Sequence, residues 1–105
     1  MYNKITAVKA KKIMDDHEKV TVLDVREPDE LVEGYIENSK LIPLGEVSER
    51  AEKELDKNIP VLVYCRSGRR SEMAGKVLSE KGYKVYDFGG IIDWPFDKID
   101  RKSVV

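Results

Sequence analysis

Reactive side chains are scarce in this sequence, and their scarcity limits what the chain can do. Its 105 residues include one cysteine, one histidine and one tryptophan. A single cysteine excludes a disulfide within the chain and a zinc site built from several thiolates. Three fates remain for that thiol: a buried side chain, an inert surface group or a reactive nucleophile. His17 lacks companion ligands, so we expect neither a metal nor a cofactor.

The chain also lacks an excess of one charge and a long hydrophobic run. It has 19 Lys and Arg residues against 20 Asp and Glu residues, so no global field attracts nucleic acid or an anionic membrane. The first fourteen residues mix lysines with apolar residues, which predicts neither a signal peptide nor a transmembrane helix. We therefore expect a cytoplasmic protein without nucleic-acid or membrane partners. One domain of this length buries roughly 65% of its unfolded surface, enough for a packed core.

Apolar runs predict strands that alternate with helices. The predicted strands are Val20–Val25, Leu41–Ile42, Val61–Tyr64 and Lys84–Phe88, and the predicted helices begin after Thr6, at Glu27, at Glu46 and at Ser71. This alternation predicts an α/β fold with a parallel sheet and helices on both faces. Ligands of such sheets bind beyond the carboxyl ends of the strands, where Asp24, Cys65 and Gly89 each lie. These separate segments are therefore expected to meet at one edge.

Local patterns give the expected faces and ends of these helices. Thr6 is a candidate N-cap for a first helix whose apolar face contains Val8, Ile13 and Met14. In the third helix, Val47, Ala51 and Leu55 recur at a spacing of four and should face the core.

The single cysteine lies between a predicted strand and a predicted helix, in the segment CRSGRRS, Cys65–Ser71. A short loop from strand to helix can direct several backbone N–H groups at one point, and the positive end of the helix dipole reinforces them. Arg66, Arg69 and Arg70 add positive charge, and no acidic residue interrupts them. Such a field favours the thiolate, the nucleophilic form of cysteine. We therefore predict a reactive Cys65 in an anion-binding loop.

Four sequence blocks resemble the rhodanese-like sulfurtransferase domain. They are LDVREPDE (Leu23–Glu30), GYIENS (Gly34–Ser39), VYCRSGRRS (Val63–Ser71) and GYKVYDFGGIIDW (Gly82–Trp94). The resemblance covers nearly the whole chain and implies a rhodanese-like domain at residues 4–96, followed by a C-terminal tail at 97–105. It further implies a three-layer α/β fold with a five-stranded parallel sheet flanked by helices, and a cysteine that carries sulfur as a persulfide.

The chain departs from the family pattern in its second block. Tyr35 stands where family members usually have histidine, and Asn38 and Ser39 replace a small Gly-Ala pair. These departures are expected to affect local packing more than activity. The loop agrees better, because it resembles the six-residue rhodanese loop. Cysteine phosphatases of similar architecture place arginine six positions after the nucleophile, where this chain has Ser71, so the phosphatase interpretation is weaker.

The loop and the resemblance together predict a sulfurtransferase. Cys65 would take sulfur from a small anionic donor such as thiosulfate and pass it to cyanide, a thiol or a protein acceptor. The alternative is a persulfide carrier or interaction module that delivers sulfur to a protein partner. Both use Cys65, and since the chain has no second cysteine, the acceptor thiol must come from elsewhere.

Six residues after the nucleophile are expected to form the substrate-binding loop: Arg66, Ser67, Gly68, Arg69, Arg70 and Ser71. Arg66 and Arg69 should point outward, toward the donor or into solvent, whereas Arg70 should close the loop or contact the anion. Ser67 and Gly68 should contribute backbone N–H groups, because glycine lets the chain turn tightly.

Structural roles are expected for several residues near the loop. Ser71 is a candidate N-cap of the helix that follows. Asp24 and Arg26 are expected to form a supporting ion pair rather than a catalytic one. Gly89 and Gly90 predict a turn that lies beside the loop and could form a wall of the site.

Overall fold

The computed structural model describes residues 1–16 and 19–100. Five parallel strands form one sheet, in the order β1-β5-β4-β2-β3. The strands are β1 Tyr2–Lys4, β2 Thr21–Asp24, β3 Lys40–Leu41, β4 Val61–Cys65 and β5 Val85–Gly90. The helices are α1 Ala7–Asp16, α2 Leu44–Glu54 and α3 Arg69–Glu80, with 3₁₀ segments at Pro28–Glu33 and Ile91–Asp93. The predicted α/β fold with a five-stranded parallel sheet is confirmed.

The sheet is covered on both faces, which produces three layers. Strand β4, with the sequence VLVYC, is fully buried, as expected for a central parallel strand. Its residues Val61, Val63 and Cys65 belong to a core formed with α2 and α3. Leu62 and Tyr64 belong to a second core with Ala10 of α1 and Trp94. Because side chains alternate across a strand, β4 directs Cys65 toward the face of α2 and α3.

Helix α2 has the predicted inward face. Val47 and Ala51 are buried within the helix, and Leu55 is buried directly after it. The buried Tyr83 hydroxyl lies 3.0 Å from the carbonyl oxygens of both Ala51 and Leu55, and its one proton is shared between these two acceptors. The Leu55 carbonyl lies just past the end of α2, where intrahelical partners run out, whereas the Ala51 oxygen also accepts the Leu55 amide at 2.8 Å.

The N-terminal segment differs from the prediction at two points. Thr6 caps α1 as expected, since its Oγ1 accepts a hydrogen bond from the Lys9 amide at 3.1 Å. Val8, however, is 66% exposed, and Ala10 is the buried residue of this helix. Strand β1, which the sequence did not predict, pairs with β5 at an edge of the sheet. Sheet pairing therefore begins at Tyr2, two residues before the predicted domain start.

The start of α3 and the end of β5 also differ from the prediction. Helix α3 begins at Arg69, so Ser71 lies inside its first turn and is not the N-cap. Gly68 takes that position in a left-handed conformation, with φ of 110°. Gly89 and Gly90 do not form a separate turn but complete β5, where the pairing with β4 shifts register between Val63 and Cys65.

Some sequence predictions lie outside the described residues. They concern His17 and the tail at 101–105. Within the described ranges, no helix combines the length and apolarity needed to cross a membrane.

Candidate active site

Strand β4 carries Cys65 to the carboxyl edge of the sheet, where the chain turns directly into α3. Residues Arg66–Gly68 form the turn between them. The Gly68 amide donates a hydrogen bond to the Cys65 Sγ at 3.0 Å. Since Gly68 is also the N-cap of α3, the sulfur lies at the positive end of that helix dipole. A backbone donor and a helix N-terminus are therefore both directed at the sulfur.

The thiol that the sequence predicts to be reactive is buried in the structure. Cys65 is only 1% exposed and contributes to the core between the sheet and helices α2 and α3. The loop over it is more accessible, because Arg66 and Ser67 are exposed. A reactant must therefore approach the sulfur through the loop rather than across a free surface.

The end of β5 supports the loop from behind. A Cβ atom placed on Gly90 would lie 2.3 Å from the Arg66 carbonyl oxygen and 2.6 Å from the Ser67 Cα, so only glycine fits there. The Ile92 amide donates a hydrogen bond to the same Arg66 oxygen at 3.2 Å. The predicted proximity of Gly89 and Gly90 to the loop is present, although they belong to a strand. This close approach fixes the path of the loop.

Ser71 joins the loop to the same strand. Its side chain is fully buried, and its hydroxyl donates to the carbonyl oxygen of Gly68 at 3.0 Å. The carbonyl oxygen of Gly89 lies 3.5 Å from that hydroxyl. Ser71 therefore holds the first turn of α3 against β5, a structural contact that replaces the predicted capping role.

Two of the three loop arginines have acidic partners from another segment, although no acidic residue interrupts the loop in the sequence. Arg70 donates two hydrogen bonds to Glu30, at 2.6 and 2.8 Å. Arg66 and Glu33 form a longer contact of 3.5 Å, with both side chains about half exposed. Arg69 is exposed, and it has no ion pair among residues 1–16 and 19–100. Two of the three cations are thus partly neutralised.

The ion pair formed by Asp24 and Arg26 is fully buried. The Arg26 Nη2 atom donates to Asp24 at 2.8 Å and to the Gly34 carbonyl oxygen at 2.9 Å. Its Nη1 atom lies 3.3 Å from the Glu30 carbonyl oxygen. Arg26 therefore ties the end of β2 to the 3₁₀ segment that presents the Glu30 side chain to the loop.

Charge pairing changes the ionisation of these groups in predictable directions. Hydrogen bonding to Arg70 lowers the pKa of Glu30 to about 2, although burial opposes the shift. The same bond raises the pKa of Arg70. Burial acts to lower the pKa of Arg26, but hydrogen bonding and the charge of Asp24 outweigh it and raise that pKa. At neutral pH the carboxylate and both guanidinium groups are therefore charged.

Sequence reasoning missed Glu30 and Glu33. Both lie in the acidic 3₁₀ segment Pro28–Glu33, for which the sequence predicted only a helix that begins at Glu27. Glu30 and Arg70 are forty positions apart in the chain, so local sequence patterns do not indicate their ion pair. Within the described ranges, no cluster of three or more His, Cys, Asp or Glu side chains could hold a metal ion.

The fold and the site together define the class of this protein. It is a parallel α/β domain whose cysteine lies in a strand-to-helix loop, next to a helix N-terminus and between arginines. The family described as "Rhodanese-like domain" matches residues 6–95. The chain belongs to the rhodanese-like domain family.

Curated relatives agree with this assignment. The chain is 40% identical over 79 residues to "Thiosulfate sulfurtransferase PspE" of Escherichia coli (strain K12), covering 73% of this chain and 76% of that protein. It is 41% identical over 86 residues to "Putative sulfur carrier protein YrkF" of Bacillus subtilis (strain 168), covering 80% of this chain. The chain spans only 46% of the length of that second relative. The names of these homologues support rhodanese-like sulfur transfer as the shared chemistry.

Solved structures give the same fold. A rhodanese-related protein from Thermoplasma volcanium superposes with a TM-score of 0.83 at 34% identity, covering 93% of this chain and 98% of that chain. A structure described as "rhodanese with anions from E. coli" gives a TM-score of 0.70 at 39% identity, covering 76% of this chain and 96% of that chain.

Proposed function

We propose that this protein is a sulfurtransferase that carries sulfur on Cys65 as a persulfide. The observation that carries the proposal is the Gly68 amide on the Cys65 Sγ at the N-terminus of α3, because a backbone N–H and a helix N-terminus are groups that stabilise charge on a reacting atom. The membership of the rhodanese-like family and the names of its homologues support it independently.

The first half-reaction loads the cysteine. The Cys65 thiolate attacks the outer sulfur of a donor such as thiosulfate, a new S–S bond forms, and the donor's S–S bond breaks. The bonding electrons leave with sulfite, so no proton has to be supplied and no histidine base is needed. Arg69 is the loop cation best placed for the donor, because Arg66 and Arg70 already contact carboxylates. Ser67 and Gly68 would contribute their backbone N–H groups.

The second half-reaction unloads the sulfur. A nucleophile, either cyanide or a thiolate, attacks the outer sulfur of the persulfide and takes it away, and the electron pair returns to the Cys65 Sγ. In such a mechanism, the transfer of sulfur takes place in two steps that are joined by a covalent intermediate. Because the chain holds no second cysteine, an acceptor thiol must come from outside these 105 residues.

A persulfide carrier that serves a protein partner is the second candidate. Two observations favour it: the relative named as a sulfur carrier, and the acidic partners of Arg66 and Arg70, which reduce the attraction for a small dianion. Steady-state turnover with thiosulfate and cyanide separates the two functions. A carrier would load and unload slowly with these small molecules but rapidly with a persulfide-bearing protein.

Intact mass spectrometry after incubation with thiosulfate tests the shared intermediate. We expect a gain of one sulfur atom, removal of that sulfur by cyanide, and no gain in Cys65→Ser. Release of sulfite should match the amount of protein loaded. An unchanged mass in the presence of excess thiosulfate, with no turnover to cyanide, would reject the proposed enzyme. Hydrolysis of a chromogenic phosphate without sulfite release would instead favour a phosphatase.

A further inference from the structure

A fully buried carboxyl group stands three residues before Gly90, the glycine that packs against the cysteine loop. It belongs to Asp87 of β5, and neither proposed half-reaction uses it. Val85 of the same strand lies in the core with α2 and α3, whereas Phe88 lies in the opposite core. Because side chains alternate along a strand, Asp87 points to the face of the sheet that also carries Cys65.

The two carboxyl oxygens of Asp87 have separate partners. The amide of Gly89 donates a hydrogen bond to Oδ1 at 2.9 Å. The hydroxyl of Tyr2, in β1, donates a hydrogen bond to Oδ2 at 2.5 Å. A carboxyl group that is removed from water needs hydrogen bonds of this kind to offset the cost of its burial. Asp87 therefore joins the edge strand β1 to the last residues of β5.

Tyr2 is well suited to hold the carboxyl group in place. Burial raises the pKa of Tyr2, and the hydrogen bond to Asp87 and its charge raise it further, so the hydroxyl keeps its proton at neutral pH. A Cβ atom placed on Gly75 would lie 2.6 Å from the Tyr2 ring, so the ring packs directly against the backbone of α3. The donor to Oδ2 is thus fixed by β1 and α3 together.

Gly89 connects the carboxyl group to the cysteine loop. Its φ of 86° lies in the left-handed region, which side chains other than that of glycine rarely permit. A Cβ atom placed on Gly68 would lie 3.6 Å from the Gly89 Cα, so the two backbones lie close together. The Gly68 amide in turn donates to the Cys65 Sγ. The backbone that Asp87 holds therefore packs against the residue that contacts the sulfur.

We propose that Asp87 is a positioning residue for sulfur transfer, because its hydrogen bond to the Gly89 amide holds the end of β5 in the conformation that supports the cysteine loop. The inference rests on the proposed function and adds a residue to its site. Asp87 takes no part in proton transfer and does not touch the substrate. It acts through the backbone of Gly89 and Gly90, and Tyr2 acts through Asp87.

The need for such a residue follows from the two glycines. Gly89 and Gly90 have a wide choice of backbone conformations, so a specific contact is required to select one of them. An aspartate that accepts the amide two residues further on is a common means of fixing a turn of the chain. Because a displacement of about 1 Å at a reacting group can slow a reaction strongly, the conformation behind the loop should affect the rate.

Four variants of the intact protein separate positioning from general stability. Asp87→Ala removes the acceptor of the Gly89 amide. Asp87→Asn keeps an oxygen that can accept this amide, so it is the rescue variant. Tyr2→Phe removes only the donor to Oδ2. Tyr83→Phe is the matched control, because it removes another tyrosine hydroxyl from the core between the sheet and helices α2 and α3, at a hydrogen bond to the end of α2.

Sulfur transfer from thiosulfate to cyanide is measured per folded molecule, and urea unfolding gives the stability of each variant. We expect Asp87→Ala to lower kcat/KM about tenfold and Asp87→Asn to remain within about threefold of wild type. Tyr83→Phe should lose stability and keep its transfer rate. A loss in Asp87→Asn as large as that in Asp87→Ala would overturn the inference, and so would wild-type transfer by Asp87→Ala.

A double-mutant cycle tests whether Tyr2 acts through Asp87. We expect Tyr2→Phe to lower kcat/KM about threefold in the wild-type background and to have no effect in the Asp87→Ala background. Equal effects in both backgrounds would contradict the proposed connection. Tyr2→Phe also serves as a test on its own if Asp87→Ala does not fold, because an unchanged rate in this variant would overturn the connection between the carboxyl group and the loop.

Amide hydrogen exchange in the resting protein separates this inference from the proposed chemistry. The Gly68 and Gly89 amides donate to the Cys65 Sγ and to Asp87, and NMR follows each of them. In Asp87→Ala we expect both to exchange at least about tenfold faster than the loss of global stability explains, with no such excess in Asp87→Asn or Tyr83→Phe. This result supports the inference even if no variant transfers sulfur. Normal transfer with unchanged local exchange rejects the role of Asp87 and leaves the sulfurtransferase intact.

Discussion

Both carboxylate oxygens of Glu30 accept hydrogen bonds from Arg70, although the two residues are forty positions apart in the chain. The same Glu30 oxygen that accepts from Arg70 Nη1 also accepts the Glu27 amide at 2.8 Å. A bidentate pair of this kind fixes both the position and the charge of the arginine. Arg70 is thereby directed to Glu30, so we expect Glu30 to weaken the attraction of the loop for an anionic donor.

Replacement of Glu30 should strengthen the binding of thiosulfate. In Glu30→Gln the amide oxygen can still accept the Glu27 amide, but the negative charge beside Arg70 is gone. We expect the KM for thiosulfate to fall roughly fivefold, equivalent to about 1 kcal/mol of anion attraction. Glu33→Gln is the control and should change KM less than about twofold, because its pair with Arg66 is long and exposed. A higher KM in Glu30→Gln would contradict the interpretation.

The same carboxylate should make stability depend on pH in the acid range. Its pKa is about 2 in the folded protein, against an ordinary value of 4.5, so the unfolded chain binds more protons between these values. The stabilisation is complete above about pH 4.5 and is lost as the pH falls toward 2. Urea unfolding at several pH values should therefore show wild type and Glu30→Gln converging below pH 4.5. A difference that stays constant down to pH 2.5 would exclude this cause.

A methyl group on Gly90 should displace the cysteine loop. The added Cβ would lie 2.3 Å from the Arg66 carbonyl oxygen, so Gly90→Ala forces the loop backbone to move. A displacement of about 1 Å at a reacting group can lower the rate about a hundredfold, and we expect a loss of this size in sulfur transfer. Gly45→Ala is the control, because its Cβ would meet no atom within 4 Å and the substitution favours helix α2. Normal transfer by Gly90→Ala would show that the loop adapts at little cost.

Removal of the charge on Asp24 should damage folding more than chemistry. Asp24→Asn leaves the fully buried Arg26 without its counter-ion, which costs about 3 to 5 kcal/mol when a buried pair is broken. Urea unfolding measures this loss, and sulfur transfer per folded molecule should change only slightly. Asp15→Asn, which breaks a surface pair with Lys11, should cost less than about 1 kcal/mol. Full stability with abolished transfer would give Asp24 a chemical role instead.

The low exposure of Cys65 should make its alkylation depend on the size of the reagent. Iodoacetamide is small enough to pass the loop, whereas a dye-labelled maleimide requires the loop to open. For each reagent, the rate of reaction with Cys65 is divided by its rate with free glutathione. We expect this ratio to be more than about tenfold lower for the maleimide than for iodoacetamide, which corresponds to a free energy of local opening above about 1.4 kcal/mol. Gly90→Ala should reduce this discrimination, because it displaces the loop. Equal slowing of both reagents would show that size does not limit access.

Local sequence patterns were sufficient to predict the elements in which apolar residues recur at a regular spacing or in an unbroken run. The spacing of Val47, Ala51 and Leu55 predicted the buried face of α2, and the uninterrupted apolar run of β4 predicted a strand covered on both sides. Strand β1 was missed because three residues at a sheet edge carry no periodicity. Val8 was assigned to the core because its exposure depends on how α1 is rotated against the sheet, which its own sequence does not specify.

The candidate site was predictable in its centre but not in its surroundings. The cysteine and its loop stand next to one another in the sequence, and Gly68 was expected to contribute its amide. Ser71 was misassigned because a glycine in the left-handed region starts α3 two residues earlier. The charge of the loop was overestimated because Glu30 and Glu33 approach it only through the tertiary fold.

The irregular pairing between β4 and β5 has a consequence for insertions and deletions. Val63 pairs with Asp87 and Cys65 pairs with Gly90, so two steps along β4 correspond to three along β5. This extra residue brings a position without a side chain opposite the nucleophile. Loss of one residue between Asp87 and Gly90 would bring a different backbone position behind the loop while the sheet could still form. We therefore expect a deletion of one residue there to leave the sheet in place and to impair the proposed sulfur transfer.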